Sequence, residues 1–241
     1  FPVLKKNIPL HKNNFSSFMK DVENNFNLSS EALFNSGLIS NTNILIKDIE
    51  VGEGDFHNGS STSIVRLEDN NKIVYKPTNG KVSESYFKFL DWIDNYFSLG
   101  NYRYKILNKN YFHWQEFVEQ SSCFTNDELS RYYKRAGIKL CLLYVLNSTD
   151  YHAENLISNG DSLVLIDHET IIQPQLNSNI KEYFTQFDEE SIADTVLNTS
   201  LLPFANSGKK YPKGICGLGY SKNTSNVVYK QVGKDRFSKD W

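Results

Sequence analysis

The stretch 147–170, N-S-T-D-Y-H-A-E-N-L-I-S-N-G-D-S-L-V-L-I-D-H-E-T, constrains the fold more than any other part of the chain. Asp150 is followed five positions later by Asn155, then by two short apolar runs separated by Asn159-Gly160, then by Asp167. Asn-Gly between β-type runs is a strong hairpin signal, so 156–158 and 162–166 are expected as paired strands, with Asp167 at a strand exit facing a cleft. Phosphoryl transfer asks for this order of residues. One carboxylate receives or orients the proton of an attacking hydroxyl, while an Asn and a second carboxylate hold Mg²⁺ on a triphosphate. Asp and Asn are also common turn residues, and D-x-x-x-x-N alone carries little. The added weight comes from the sequel, an Asp directly after the apolar L-V-L-I with His168 and Glu169 behind it.

At 241 residues the chain can bury a substantial core and hold one large domain or two lobes. A formal charge of −2 gives no field that would recruit nucleic acid or an anionic membrane. No apolar run approaches the roughly 20 residues that a membrane span needs. Cys123, Cys141 and Cys216 stand far apart, with no C-x-x-C pair and no His to complete a zinc site, which suits a reducing, cytoplasmic setting. The opening F-P-V-L-K-K-N has no signal-peptide core and no initiator Met, and reads as an excerpt of a longer protein.

Taken in order, residues 1–50 read as a helical N-terminal flank, with Phe15, Phe18, Val22 and Phe26 at helical spacing and 27–31 offering caps for a following turn. Residues 51–120 read as a smaller lobe. A loop holding Gly52, Gly54 and Gly59 precedes two β-type runs, Ser61 to Leu67 and Lys72 to Tyr75, joined at Asp69-Asn70-Asn71. Glycines let backbone N–H groups approach phosphates, and a glycine loop feeding a hairpin is how kinase-type folds cover ATP. Lys76 follows the second run and is stopped by Pro77, the place from which a strand lysine reaches the phosphates. A solvated strand end would look the same. Asp55 and His57 are ionisable groups inside the glycine loop, where acid/base chemistry would account for them as well as chance exposure would.

A helix is expected over 84–97, with positions 86, 89, 90, 93 and 97 inward and Glu84 as the guessed partner of Lys76. Strands follow at 104–108 and 111–118, the second leading towards a hinge, with Trp114 and Phe117 read as core. Residues 121–241 read as a larger, incomplete lobe. Thr125 and Glu128 form a capping box, opening a central helix with Leu129, Tyr133, Ala136, Leu140 and Leu143 on its buried stripe. A short helix is expected near 188–198.

With G-D-F-H-N-G, V-Y-K-P, W-Q-E-F-V, T-D-Y-H-A-E-N-L-I, L-I-D-H-E-T and T-S-L-L-P in that order, the chain resembles the dehydratase domain of class II lanthipeptide synthetases, the LanM-type enzymes. The resemblance runs from about residue 50 to about residue 205 and rests on the ordered set of blocks. It implies an α+β, two-lobed, atypical protein/lipid-kinase-like fold, truncated here at its C-terminal end. It also implies an enzyme that uses ATP and Mg²⁺ to phosphorylate Ser and Thr of a leader-bearing precursor peptide and then eliminates the phosphate, leaving dehydroalanine and dehydrobutyrine.

Residue by residue, the resemblance makes Lys76 the phosphate-contacting lysine, with Gly54 and Gly59 in the nucleotide loop. Asp150 orients or deprotonates the substrate hydroxyl, His152 belongs to the same motif, Asn155 and Asp167 are metal ligands, and Glu169 is a further site residue. Asp55 and His57 match positions tied to elimination. Ser60 and Thr78 stand where the family commonly has Arg, and the Arg and Thr used in elimination, like the zinc-dependent cyclase domain of full-length members, have no counterpart in this stretch. A small-molecule or lipid kinase of related fold and a catalytically dead peptide-binding remnant remain as alternatives.

Overall fold

The computed structural model describes residues 1–54, 56, 59–173 and 195–202, with the backbone of two short strands at 228–231 and 237–240. The chain is α+β. It divides into two compact units, Phe1–Glu128 with Ser158–Val164, and Leu129–Ile157 with Leu165–Trp241.

The first unit is built on a five-stranded antiparallel sheet of order β1-β2-β3-β5-β4, formed by Ile46–Val51, Ser63–Leu67, Lys72–Lys76, His113–Glu116 and Ile106–Asn108 respectively. The middle strand, β3, is flanked on both sides, and Ile73, Val74 and Tyr75 are all buried. In β2 burial alternates: Ser63, Val65 and Leu67 point inward, while Arg66 reaches across the sheet to Glu50 at 2.6 Å. The β2–β3 hairpin turns through Asn70 at φ 64°, and Asp69 accepts the Asn71 N–H at 3.0 Å, the local Asx bond that makes Asp-Asn a turn signal.

Helix α1 (Pro2–Asn35) lays Phe18, Val22, Phe26 and Leu33 on this sheet, every third or fourth residue as a helical face requires. Phe26 meets the fully buried Trp114 edge-on at 5.8 Å, and the Asn25 amide donates to the Tyr75 hydroxyl at 2.9 Å. The expected caps at 27–31 do not end the helix. Ser29 is buried in its face, and apolar contact carries the helix through residues whose local preference is to stop. β1 begins at Ile46, inside the stretch read as a helical flank.

Helix α2 (Lys81–Phe97) buries Tyr86, Leu90 and Ile93, whereas Phe97 is exposed next to the left-handed Ser98 that ends the helix. Arg103 ties the end of α2 down by pairing with Asp91 at 2.7 Å and Asp94 at 2.5 Å.

Helix α3 (Asn126–Val145) opens on the expected capping box: Glu128 N–H donates to Thr125 Oγ1 at 3.2 Å, and the Glu128 carboxylate accepts from Thr125 N–H at 3.0 Å. Its buried stripe differs from the one expected. Ala136 and Leu143 are buried as expected, but Leu129 and Tyr133 are exposed because the first turns face solvent, and Lys139 is buried while Leu140 is only partly so.

The hairpin β6 (Leu156–Asn159) and β7 (Ser162–Leu165) turns through Gly160 at φ 53°, as Asn-Gly predicts. Its tip belongs to the first unit, where Ser121 N–H donates to Ser158 O at 2.9 Å and Asn159 Nδ2 donates to Glu119 O at 2.7 Å. Val196–Thr199 forms a 3-10 turn, and the start of the short helix expected near 188–198 lies outside the described residues. The last strands, β8 (Val228–Gln231) and β9 (Phe237–Asp240), pair with each other.

Candidate active site

In the second unit the chain leaves α3 through Asn147 at φ 55° and reaches Asp150 at φ 68°, a left-handed conformation that a non-glycine residue holds only under constraint. The constraints are visible on each side. Thr149 N–H donates to Thr170 O at 3.3 Å and Thr170 Oγ1 donates to Thr149 O at 2.6 Å, while the buried Ser148 hydroxyl donates to Ile171 O. Asn155 Nδ2 donates to the Asp150 carbonyl at 2.7 Å, and Tyr151 N–H donates to Thr199 O at 2.9 Å. Residues 148 and 149 are thereby laced to the segment just beyond Asp167, Asp150 to Asn155, and Tyr151 to Thr199.

The side chains add a second layer. His152 Nε2 lies 3.2 Å from Asp150 Oδ1, and the Glu154 N–H points at His152 Nδ1 at 3.3 Å. A ring nitrogen that accepts carries no proton, so the proton sits on Nε2 and is donated to Asp150. Asn155 Nδ2 also approaches Asp150 Oδ2 at 3.4 Å, so the carboxylate is oriented from two sides. Asn155 O accepts the Ile166 N–H at 3.1 Å, which places Asn155 beside the residue preceding Asp167. Asp167 Oδ1 accepts the Glu169 N–H at 3.3 Å, turning the chain as β7 ends.

Among the described residues no three His, Cys, Asp or Glu side chains cluster as a metal site. The donor set at hand is instead one carboxylate and one amide. With Nδ2 of Asn155 engaged by Asp150, its Oδ1 is the atom left to face a cation, and with the Asp167 carboxylate it supplies the hard oxygen donors Mg²⁺ prefers. The residues present fit that ion. Glu169 is exposed, while the intervening His168 is buried.

In the first unit, Lys76 closes the middle strand, half-buried and paired in register with His113. His113 is buried, and its Nδ1 lies 2.8 Å from Thr78 O, fixing the chain just after the lysine. The Glu84 carboxylate, expected near Lys76, accepts from Asn108 Nδ2 at 3.3 Å.

The glycine loop joins β1 to β2 and is closed at its base by Gly52 N–H donating to Ser61 Oγ at 2.9 Å. At Gly54 (φ 143°) an added Cβ would meet Thr62 Oγ1 at 3.8 Å, an ordinary van der Waals contact, so the backbone angle rather than crowding favours glycine there. Gly59 (φ 86°) is glycine for a packing reason as well, since its Cβ would fall 2.6 Å from Asn14 Cβ of α1. Asp55 and His57 lie outside the described residues.

A family described as a domain of unknown function (DUF4135) matches residues 1–240. The chain belongs to the DUF4135 family. Among relatives of this DUF4135 domain is the lacticin 481/lactococcin biosynthesis protein LcnDR2 of Lactococcus lactis subsp. lactis, 27% identical over 246 residues, covering 95% of this chain and 26% of the relative. The domain spans about a quarter of that relative's length. These matches bear out the LanM-type resemblance carried by the ordered motifs.

Sequence reasoning missed the threonines. Thr149, Thr170 and Thr199 shape the Asp150 loop through hydroxyl and backbone bonds, and only T-S-L-L-P hinted at the last of them. Lys139 was missed too. A buried ammonium on α3 has to be paired, but an apolar count has no way to select it over Leu140.

Proposed function

We propose that this domain carries the phosphorylation step of a lanthipeptide dehydratase, transferring the γ-phosphoryl group of ATP to Ser and Thr hydroxyls of a precursor peptide. The observation that carries the reading is the Asp150–His152–Asn155 network, with the Asn155 carbonyl accepting the N–H of Ile166, which lies between the end of β7 and Asp167. Support for a kinase-like, two-lobed fold comes from the element order. A glycine loop lies between β1 and β2, a lysine ends β3, a helix precedes β4, and α3 leads into the Asp–Asn–hairpin–Asp series.

In this reading the Asp150 carboxylate receives the hydroxyl proton as the peptide oxygen attacks phosphorus. His152 Nε2–H holds one of its oxygens so that the other faces the substrate. Asn155 Oδ1 and the Asp167 carboxylate would hold Mg²⁺, which when bound neutralises charge on the triphosphate. Lys76 acts as a point charge towards the phosphates. A loose transition state asks for positioning and charge rather than covalent help, which is what this rigidly bonded loop offers.

Phosphate elimination involving Asp55 and His57, a cyclase domain as a partner in the full-length protein and a cytoplasmic setting belong to the same proposal, resting on the family relationship. No helix among the described residues is long and apolar enough to cross a membrane.

The test is mass spectrometry of the precursor peptide incubated with ATP and Mg²⁺ and the intact protein. The expected product is a phosphopeptide that goes on to lose phosphoric acid, ending ~18 Da, the mass of one water, below the starting peptide for each modified residue. Asp167→Asn should abolish it. Phosphopeptide formed by Asp167→Asn at the wild-type rate would overturn the assignment.

A further inference from the structure

The left-handed Asp150 is held by bonds to the backbone on both sides, and one of these comes from T-S-L-L-P, a block to which no catalytic role is given. Tyr151, fully buried, donates its N–H to the carbonyl of Thr199 at 2.9 Å. That carbonyl ends the 3-10 turn Val196–Thr199, which is itself tightly bonded: Thr195 Oγ1 accepts from Leu197 N–H at 3.2 Å, and Ser200, at φ 61°, donates its N–H to Leu197 O at 3.1 Å. The Thr199 hydroxyl is the keystone of the turn. It is 1% exposed, donates to Val196 O at 2.7 Å and accepts from the buried Leu201 N–H at 3.2 Å, so it ties the start of the turn to the residue beyond its end. A left-handed non-glycine residue costs on the order of 1–3 kcal/mol and persists only where its surroundings over-determine it. Thr170 and Asn155 constrain Asp150 from the residues before it and from its own carbonyl, and Thr199 supplies the remaining anchor on the residue after it.

We propose that Thr199 is a positioning residue for Asp150: its hydroxyl sets the carbonyl that fixes Tyr151, and thereby the left-handed backbone that aims the Asp150 carboxylate. The inference rests on the phosphorylation reading for its kinetic consequence, but its structural half stands independently. Loss of the hydroxyl frees the Tyr151 N–H and lets Asp150 relax towards ordinary backbone angles, moving its carboxylate off line. Misplacement by about 1 Å costs on the order of 100-fold in rate. Substrate and nucleotide affinity are unaffected, because Thr199 acts only through backbone.

The experiment compares Thr199→Val, which keeps shape and removes both hydrogen bonds, with Thr199→Ser, which keeps them, in the intact protein. Two measurements are made: hydrogen exchange at the Tyr151 amide, and kcat and KM for ATP·Mg²⁺-dependent peptide phosphorylation, with Asp150→Asn as control. The expected result is faster Tyr151 exchange and a kcat loss of about 10- to 100-fold at unchanged KM in Thr199→Val, both restored in Thr199→Ser. Unchanged Tyr151 exchange in Thr199→Val overturns the proposal whatever the activity, as does faster exchange with wild-type kcat, or a loss confined to KM. Full activity in Asp150→Asn would overturn the phosphorylation reading itself, and with it the kinetic role of Thr199. If Thr199→Val does not fold, Thr199→Ala and Thr199→Ser are compared in its place, with the same outcomes deciding.

Discussion

His152 Nε2 stands 3.2 Å from Asp150 Oδ1, while the opposite ring nitrogen accepts the Glu154 N–H. The imidazole is a hydrogen-bond donor built into the loop, aimed at the carboxylate proposed to take the substrate proton. Removing it leaves Asp150 in place through its backbone bonds but lets the carboxylate rotate. His152→Ala is therefore expected to lower kcat for peptide phosphorylation by roughly 10- to 100-fold with little change in KM for ATP, and His152→Gln to recover part of the loss. Steady-state kinetics on the purified variants check this; equal loss in Ala and Gln would argue that the ring does more than orient.

Asn155 engages Asp150 through Nδ2, at 2.7 Å from its carbonyl and 3.4 Å from Oδ2, and in the function proposed above its Oδ1 would face the cation. The two ends of one amide thus do different work, and an isosteric exchange separates them. Asn155→Asp keeps an oxygen for Mg²⁺ but replaces the donor with a second carboxylate beside Asp150, where like charges repel. It is expected to depress kcat at least as much as Asn155→Ala, while Asn155→Ala raises the Mg²⁺ concentration needed for half-maximal rate. A Mg²⁺ titration of phosphopeptide formation reads both.

What the sequence made legible follows from which interactions are local. The β6–β7 hairpin was readable because Gly160 must take a positive φ, and the Thr125–Glu128 box because its partners are three residues apart. Trp114 was readable as core. The length of α1 was not, since its continuation past 27–31 is decided by Phe26 and Leu33 meeting β5 and its neighbours, contacts that no local preference encodes. Along α3, Lys139 is buried while Leu140 is only partly so, an inversion of hydropathy that an apolar count has no means to anticipate. At the candidate site the acids and amides were visible as motif residues, but the lacing of Thr149 to Thr170 and of Tyr151 to Thr199 joins residues far apart in sequence, mostly through backbone atoms, which carry no residue signature.

Gly80 lies in the turn between β3 and α2, with its N–H bonded to Asn108 Oδ1 at 2.8 Å. An added Cβ would fall 2.9 Å from His113 Cγ and 3.0 Å from His113 Cβ. That ring is buried and held at Thr78 O, so it has no room to swing away. Gly80→Ala is expected to destabilise the unit by about 1–3 kcal/mol through overpacking. Because His113 pairs with Lys76 in register, the affinity for ATP should weaken in the same variant. Denaturant unfolding and nucleotide titration check the two effects.

Asp94 near the end of α2 offers a pH-dependent test of the first unit. Burial pushes its carboxyl up, but hydrogen bonds from Arg103 and Asn101 outweigh burial and hold it below the ordinary 3.8. A carboxylate depressed in the folded state contributes stability that is present above its unfolded pKa and fades as pH falls through the folded one. Asp94→Asn is thus expected to cost about 2 kcal/mol near neutral pH, as charge-assisted hydrogen bonds to Arg103 are lost. The gap between wild type and variant should narrow steadily as pH drops below 3.8. Arg103 keeps its pairing with Asp91 at 2.7 Å in the variant, so the guanidinium is not left uncompensated and the difference reports on Asp94 alone. Urea denaturation across pH is the measurement; a difference that stays constant into the acid range would mean the carboxylate's charge contributes nothing and that Asn101 and Arg103 pack on α2 by shape.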